Sequence, residues 1–300
     1  MMRPSGWASA CLLLLMAGCA GPSLRDAPPK TLKIATWNLE HLAEAEGVGC
    51  RARNASDYHA LRRYADELDA DVIAFEEVES AAAAARVFRP DRYTIVISGR
   101  PESGRRGTCN DRSGTGPELR SQKVGFAVRK GIAFERHPDV RELGLGNPDL
   151  RWGVDITVQA EQPLRLLAVH LKSGCSAGSE KESCDVLFRQ IPVVEQWMVQ
   201  RRDEGAAFAI LGDWNRRLAQ SGDRVWEDLA GGQPAGALLV NAAEGRRASC
   251  LQRYPDFIDH ILLDPKAAAR KIPGSFEEFS YGVDEESHPS DHCPIAISLR

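Results

Sequence analysis

Phe208-Ala209-Ile210-Leu211-Gly212-Asp213-Trp214-Asn215 passes from an apolar run, through a glycine, to closely spaced polar side chains. Phe208 to Leu211 is an apolar run of the length and composition of a short buried strand. A glycine ends it, and a carboxylate and a carboxamide follow two residues apart. This puts an acceptor-only group beside a donor/acceptor group at a strand end, where α/β proteins commonly place their sites. Taken alone, the same residues also describe an Asx-type turn that closes a strand. The rest of the chain decides between the two.

Working outward, Thr31 to Thr36 alternates as a first strand, and Trp37-Asn38-Leu39-Glu40 follows it. Asn54-Ala55-Ser56 can cap a helix from about Asp57 to Leu68, whose Tyr58, Leu61, Tyr64, Ala65 and Leu68 repeat at three and four. Asp71 to Phe75 reads as a second buried strand with Glu76-Glu77 at its end. Ala81 to Val87 reads as a short helix, and Arg92 to Ser98 as a strand. Glycines at 99, 104, 107, 114 and 116 mark residues 99–121 as a long loop. From Arg100 to Lys130 eight Lys or Arg face three acids, so this part of the chain is either a solvated insertion pinned by Cys109 or a grip for an anionic substrate.

Val124 to Val128 and Ile132 to Glu135 are expected as a strand pair around Arg129-Lys130-Gly131. Gly153 to Gln159 and Leu164 to Leu171 give two more strands, the second ending near His170. Glu182 to Arg201 is an amphipathic helix, and a polar helix spans about Arg224 to Leu229. Asp256 to Leu263 is a strand carrying Asp259 and His260. The chain closes with Ser290-Asp291-His292 and a strand from Pro294 to Leu299. Strands alternate with helices from 31 to 300 without an internal linker or repeat, which predicts one domain.

The 300 residues carry 43% hydrophobic and 27% charged side chains and a net charge of −4, a globular balance with no global pull toward nucleic acid. The N-terminus reads as an export signal over residues 1–18, with Arg3 as its basic end and an apolar stretch from Ala8 to Ala17. That stretch is too short to span a bilayer, which takes roughly 20 apolar residues. Leu15-Met16-Ala17-Gly18-Cys19 resembles the lipobox of bacterial lipoproteins, which implies lipidation at Cys19 and a bacterial envelope location, periplasmic or on the outer membrane. An ordinary secretory signal cut nearby is the alternative. Residues 19–30, with Pro22, Pro28 and Pro29, form a stiff tether to the domain at 31–300.

Six cysteines remain after the leader and Cys19: Cys50, Cys109, Cys175, Cys184, Cys250 and Cys293. An even number in an exported chain predicts disulfides, although six cysteines allow about 15 pairings. Cys175 with Cys184 is favoured by the short Gly/Ser-rich loop between them; Cys50–Cys109 and Cys250–Cys293 would complete the set. No Cys-x-x-Cys spacing suggests zinc.

Several strands thus end in, or carry, groups suited to a hard metal and a phosphate: Asn38, Glu40, Glu77, His170, Asp213, Asn215, Asp259, Asp291 and His292. Amide and carboxylate oxygens without thiolate favour Mg²⁺, Mn²⁺ or Ca²⁺. Histidines beside carboxylates can hold a phosphoryl oxygen or move protons. Each residue also has a structural reading: Asn38 a turn former, Glu77 a solvated helix start, His170 a satisfied core histidine, Asp291 a turn partner.

The order of the runs is more specific. Thr36-Trp37-Asn38-Leu39-Glu40, Phe75-Glu76-Glu77-Val78-Glu79, Val169-His170-Leu171-Lys172-Ser173, Leu211-Gly212-Asp213-Trp214-Asn215, Ile258-Asp259-His260-Ile261 and Ser290-Asp291-His292-Cys293-Pro294 together resemble the endonuclease/exonuclease/phosphatase family. The resemblance implies a two-sheet α/β sandwich flanked by helices, of the deoxyribonuclease I kind. It also implies a Mg²⁺-dependent hydrolase of phosphodiesters, with nucleic acid the first candidate substrate. A phosphomonoesterase or lipid-headgroup hydrolase is the alternative, and a catalytically silent envelope binding module a further one. By that resemblance Glu77 is the principal metal ligand, Asn38 its amide companion, Asp291 a further acid near the metal and Glu40 a looser second acid. His170 contacts the scissile phosphate, Asp213 orients or deprotonates the attacking water, Asn215 holds a phosphate oxygen, and His292 is oriented by Asp259.

Three positions depart from the family pattern. Glu76 replaces a glutamine, which adds an expected negative charge beside the cation. Glu79 stands where nuclease members carry a DNA-contacting arginine, and Trp214 replaces the commoner phenylalanine. No residue matches the tyrosine that nucleases set against the phosphate. No protein partner is evident, and a monomer is expected.

Overall fold

A computed structural model of the chain describes residues 1–2, 30–102, 107–110, 115–176, 181–230 and 239–300. The export leader and Cys19 lie outside the described residues. In chain order the elements are β1 (Leu32–Leu42), α1 (Ala55–Leu68), β2 (Val72–Val78), α2 (Ala81–Val87), β3 (Tyr93–Ile97), β4 (Thr108–Asn110), β5 (Thr115–Glu118), β6 (Lys123–Arg129) and β7 (Phe134–Arg136). There follow β8 (Val154–Val158), β9 (Leu164–His170), α3 (Glu182–Asp203), β10 (Phe208–Asp213), α4 (Arg224–Ala230), β11 (Val240–Asn241), β12 (Asp259–Leu263), α5 (Pro265–Arg270), β13 (Glu277–Glu278) and β14 (Ile295–Leu299).

Two six-stranded sheets, ordered β13-β14-β1-β2-β6-β3 and β11-β12-β10-β9-β8-β7, stack face to face. Each has a parallel pair at its centre, β1 with β2 and β9 with β10, and antiparallel neighbours on both sides. Alternation along each strand sorts the side chains. Ile34, Val72, Ala74, Phe126, Leu166, Ala168, Ala209 and Leu211 fill the space between the sheets. Ala35, Ile73 and Phe75 turn outward to meet Tyr58, Leu61 and Leu68 of α1, while Leu167, Val169 and Ile210 meet Leu187, Ile191 and Val194 of α3. The central strands are covered on both faces, so they read as continuous apolar runs. The fold is the two-sheet α/β sandwich flanked by helices that the sequence leads one to expect.

The structure corrects three expectations. β1 does not stop at Thr36 but runs to Leu42, so Asn38 and Glu40 lie on the strand rather than after it. Residues 99–121 are not wholly loop, because β4 and β5 form a hairpin there. The expected pair around Arg129-Lys130-Gly131 does not form. β6 pairs with β2 and β3, whereas β7 crosses to the other sheet and pairs with β8. Gly131 takes a left-handed φ of 92° at that crossing, and Ile132 and Phe134 pack into the core between the sheets. Cys50–Cys109, Cys175–Cys184 and Cys250–Cys293 are all bonded. No helix among the described residues is long and apolar enough to cross a membrane.

Candidate active site

One end of the sandwich collects the chemistry. Asn38 and Glu77 lie toward the C-terminal ends of β1 and β2, and His170 and Asp213 are the last residues of β9 and β10. β12 runs the other way, so its first residue, Asp259, arrives at the same edge, in register with Asp213. Gly212 makes the approach feasible: its φ is 147°, and a Cβ there would lie 1.9 Å from the Val169 carbonyl oxygen. Only glycine lets β10 deliver Asp213 this close to β9.

The backbone is strained where function is expected. Among the described residues six non-glycine positions have positive φ, and Glu40 (44°), His41 (55°), Glu77 (60°) and Asn215 (51°) are four of them. Register shifts between β1 and β2 and between β2 and β6 bracket Glu76 and Glu77. Bulges and left-handed residues of this kind re-aim side chains and cost of order 1–3 kcal/mol each, so the surrounding packing must hold them.

All nine residues expected at the site join one chain of contacts. Asp213 Oδ2 accepts from Asn38 Nδ2 at 3.0 Å, and its Oδ1 accepts from the Asn215 backbone N–H at 2.7 Å. His170 Nε2 stands 3.5 Å from Asp213 Oδ2 and 3.8 Å from Glu77 Oε1. His292 Nδ1 is 2.7 Å from Asp259 Oδ2, and its Nε2 is 4.0 Å from Asp213 Oδ2 and 3.8 Å from Asp291 Oδ1. Glu40 Oε2 accepts from the Asp291 N–H at 3.0 Å. Asn215 Nδ2 donates one of its hydrogens to the Leu171 carbonyl at 3.2 Å, which leaves one for a ligand.

Burial and neighbouring charge divide these groups by protonation. Burial, reinforced by the charge of Asp259, pushes Asp213 up to about 7. Burial works against a charged His292, but the charge and hydrogen bond of Asp259, with Asp213 and Asp291 behind it, prevail and hold its pKa well above that of an ordinary histidine. His170 goes the other way, because burial and the nearby Arg151 cation keep it neutral. Glu76 corrects the sequence reading: it is fully buried, and burial with the charge of Asp259 raises its pKa well above the carboxylate range. Thr36 Oγ1 donates to its Oε1 at 2.9 Å. Glu76 is therefore a neutral acid, close in shape and charge to the glutamine it replaces, and adds no anion beside the cation site.

Asn38, Glu77, Asp291 and Glu40 offer an oxygen-only donor set, since the six cysteines of residues 31–300 are tied in disulfides. That set fits a hard divalent cation. The tightest group of metal-capable atoms at this edge is Asp213, Asp259 and His292. There, however, the imidazole is committed to Asp259 and held protonated, which leaves it no lone pair for a metal.

Three further residues enter the site that the sequence did not single out. Arg151, just before β8, donates to His170 Nε2 at 3.1 Å and to Gln122 Oε1 at 3.3 Å, and its Nε is buried without a partner. A guanidinium can only donate, so His170 accepts at Nε2 and carries its proton on Nδ1. No carboxylate among the described residues reaches ion-pair distance of Arg151, although Glu77 and Asp213 act on it from further away. His41 lies 3.6 Å from Glu77 Oε2 and contacts Gln122 Nε2 at 3.0 Å. Arg151 and Gln122 sit in irregular segments and leave no periodic signal; the one hint available was that His41 follows Glu40 directly.

Arg151 and Gln122 border a cavity of about 740 Å³ lined also by Arg100, Asp149, Lys172 and Glu182, with no aromatic side chain among the described residues. The expected arginine grip of the 99–121 segment is partly absorbed by structure. Arg100 is buried and donates to the Pro148 and Gln122 carbonyls, and Arg120 is held by Glu79. His260, the histidine of β12, is a satisfied core residue between Asn241 and the Arg216 carbonyl, with burial lowering its pKa to about 4.

The profile of the endonuclease/exonuclease/phosphatase family matches residues 35–292. The chain belongs to that family. No curated protein sequence matches it. Among solved structures it is similar to D. rerio TDP2 complexed with single-strand DNA product, at 19% identity, with 91% of this chain and 100% of that one covered and a TM-score of 0.62. The human Nocturnin catalytic domain with bound sulfate superposes at 15% identity, 90% and 94% coverage and TM-score 0.60. The 3′-5′ exonuclease NExo of Neisseria meningitidis does so at 16% identity, 89% and 99% coverage and TM-score 0.59. Family and fold make this chain a hydrolase of phosphoester bonds. Enzymes of the family typically depend on divalent metal ions, and the oxygens of Glu77, Asn38, Asp291 and Glu40 at this edge suit one.

Proposed function

We propose that this protein is an exported, lipid-anchored phosphodiesterase dependent on Mg²⁺, comprising one catalytic domain over residues 31–300. The observation that carries the reading is the Asn38–Asp213–His292–Asp259 array, in which two acids and a protonated histidine meet at the strand ends. Asp213, poised near 7, orients the attacking water and takes its proton. His292, kept cationic by Asp259, donates from Nε2 to a phosphoryl or departing oxygen. The remaining amide hydrogen of Asn215 holds a phosphoryl oxygen. Arg151 supplies the phosphate contact expected of His170, which in turn fixes the guanidinium. Glu77, Asn38, Asp291 and Glu40 would hold the metal ion, which when bound neutralises charge on phosphoryl and leaving oxygens.

Nucleic acid is the first candidate substrate, supported by the nuclease neighbours. The headgroup alternative is favoured by the cavity beside Arg151, which has no aromatic platform among its described residues on which a base could stack. Export is supported by three disulfides, which persist in oxidising compartments.

Protein starting after Cys19 should hydrolyse bis(p-nitrophenyl) phosphate with Mg²⁺ or Mn²⁺ and stop with EDTA. Asp213→Asn and His292→Ala should each lose at least about 100-fold in turnover. Wild-type turnover in those variants would refute the site, and activity surviving full chelation would refute the metal. Run against plasmid DNA, RNA, sphingomyelin and inositol phosphates, the same assay separates the substrate classes. A nuclease loses activity steeply as salt rises, whereas a headgroup enzyme does not. Palmitate labelling of the full chain should vanish in Cys19→Ser; labelling that persists would exclude the lipid anchor at that residue.

A further inference from the structure

His292 stands on an irregular segment. Between β13 and β14 the chain has no ladder partner to fix it, yet the imidazole must hold its place against Asp213 and Asp259. The backbone here is instead bolted to β1. Ser290 Oγ donates to the Asn38 carbonyl at 2.7 Å and accepts from the His292 N–H at 3.2 Å. The buried Arg53 guanidinium spans the Leu39, Glu40 and Pro289 carbonyls at 2.8–2.9 Å. Cys293, the next residue, is tied to Cys250.

One further bolt reaches His292 itself. Tyr281 Oη donates to the His292 carbonyl at 2.5 Å and accepts from Trp37 Nε1 at 2.8 Å. Trp37 immediately precedes Asn38, which bonds Asp213. The phenol has one proton and uses it on His292, and it receives the one proton the indole can give. Its ring cannot swing away, being packed edge-on against Tyr64 at 4.9 Å and His288 at 5.0 Å, while Tyr64 Oη donates to the Tyr281 carbonyl at 2.9 Å. Burial pushes the Tyr281 pKa well above that of an ordinary tyrosine, so the hydroxyl remains a donor throughout the working range.

We propose that Tyr281 is a positioning residue for His292, its hydroxyl locking the His292 peptide to the strand that carries Asn38. It touches neither water nor phosphate. It sets the separation between the proton-donating imidazole and the acid that activates water, a separation to which turnover is steeply sensitive because misplacement by about 1 Å can cost 100-fold. The inference rests on the reading of His292 and Asp213 given above.

Tyr281→Phe removes the one oxygen that makes the link and keeps the ring. Tyr93→Phe is the matched control: Tyr93 is buried in the same cluster, its hydroxyl also donates to a backbone carbonyl, that of Ala70 at 3.0 Å, and it lies on β3 with no contact to the site residues. With full-length protein and bis(p-nitrophenyl) phosphate, Tyr281→Phe should lower kcat by about tenfold with KM within about twofold, while Tyr93→Phe leaves both at the parent values. Independently of activity, amide hydrogen exchange across residues 288–294 should rise in Tyr281→Phe and not in Tyr93→Phe. The inference is overturned if kcat of Tyr281→Phe stays within twofold of the parent, if Tyr93→Phe loses as much, or if exchange is unchanged. His292→Ala separates the two levels. Turnover persisting in that variant refutes the reading of the site itself. An inactive His292→Ala beside a fully active Tyr281→Phe refutes only the positioning role.

Discussion

Asp213 shows how one residue can be assigned a duty and a cost. An aspartate ordinarily titrates near 4, and burial with the charge of Asp259 raises this one to about 7. Between those values the folded protein holds a proton that the unfolded chain has released. The sign follows from linkage: stability falls as pH rises from about 4 to about 7 and does not recover above it. Asp213→Asn abolishes the titration. In EDTA, urea denaturation over a pH series should show the variant gaining on the parent from pH 4 upward, by on the order of 2–4 kcal/mol at pH 8. A gap that shrinks with rising pH would mean that Asp213 is ionised in the fold. The acids of the site, with His170 and His292, were legible because each sits in a short run within or beside a strand end, whereas His41 was not singled out. Arg151, Gln122, Arg53 and Tyr281 were not, because their partners are far away in sequence: Arg53 meets Pro289 and Tyr281 meets Trp37. Glu76 was legible as a residue and misread as a charge, since burial decides its protonation and no local pattern reports that.

Elements were recovered where periodicity and caps act together. Asn54 caps α1 through its side chain, and Asp57 returns the bond to the Asn54 N–H, the reciprocal arrangement that fixes a helix start. The central strands were found because the facing sheet covers one of their faces and a helix the other. What escaped was determined by partners rather than by local pattern. β1 continues past Thr36 because β2 goes on pairing with it beyond the bulge. β7 looked like the return strand of a hairpin, yet its Phe134 and the preceding Ile132 find their cover between the sheets, and that requires crossing. α5 carries its own signal, Asp264 as N-cap with Pro265 in the first turn, but its six residues are too few to show a helical period. Gly212 ties this scale to the last: the strand reads as apolar up to it, and the glycine is what permits the approach to Val169.

For the whole molecule, the three disulfides hold irregular segments around the site. Cys250–Cys293 anchors the His292 segment, Cys50–Cys109 holds the β4–β5 hairpin to the chain beyond β1, and Cys175–Cys184 ties the loop after Lys172 to the start of α3. They join residues 43, 59 and 9 apart. On the loop-entropy account each restricts the unfolded chain according to that separation, by about 4, 4 and 3 kcal/mol. Their sum is comparable with the whole stability of an ordinary domain, about 5–15 kcal/mol. A chain made in a reducing compartment should therefore be marginal or unfolded, whereas the oxidised protein is stable. Urea denaturation of the oxidised Cys50→Ser/Cys109→Ser protein should show a loss of about 4 kcal/mol, and that of Cys175→Ser/Cys184→Ser about 3 kcal/mol. Full reduction should collapse the midpoint toward zero denaturant. If reduced protein keeps the oxidised midpoint, the disulfides contribute no net stability and the packed sandwich alone supports the site.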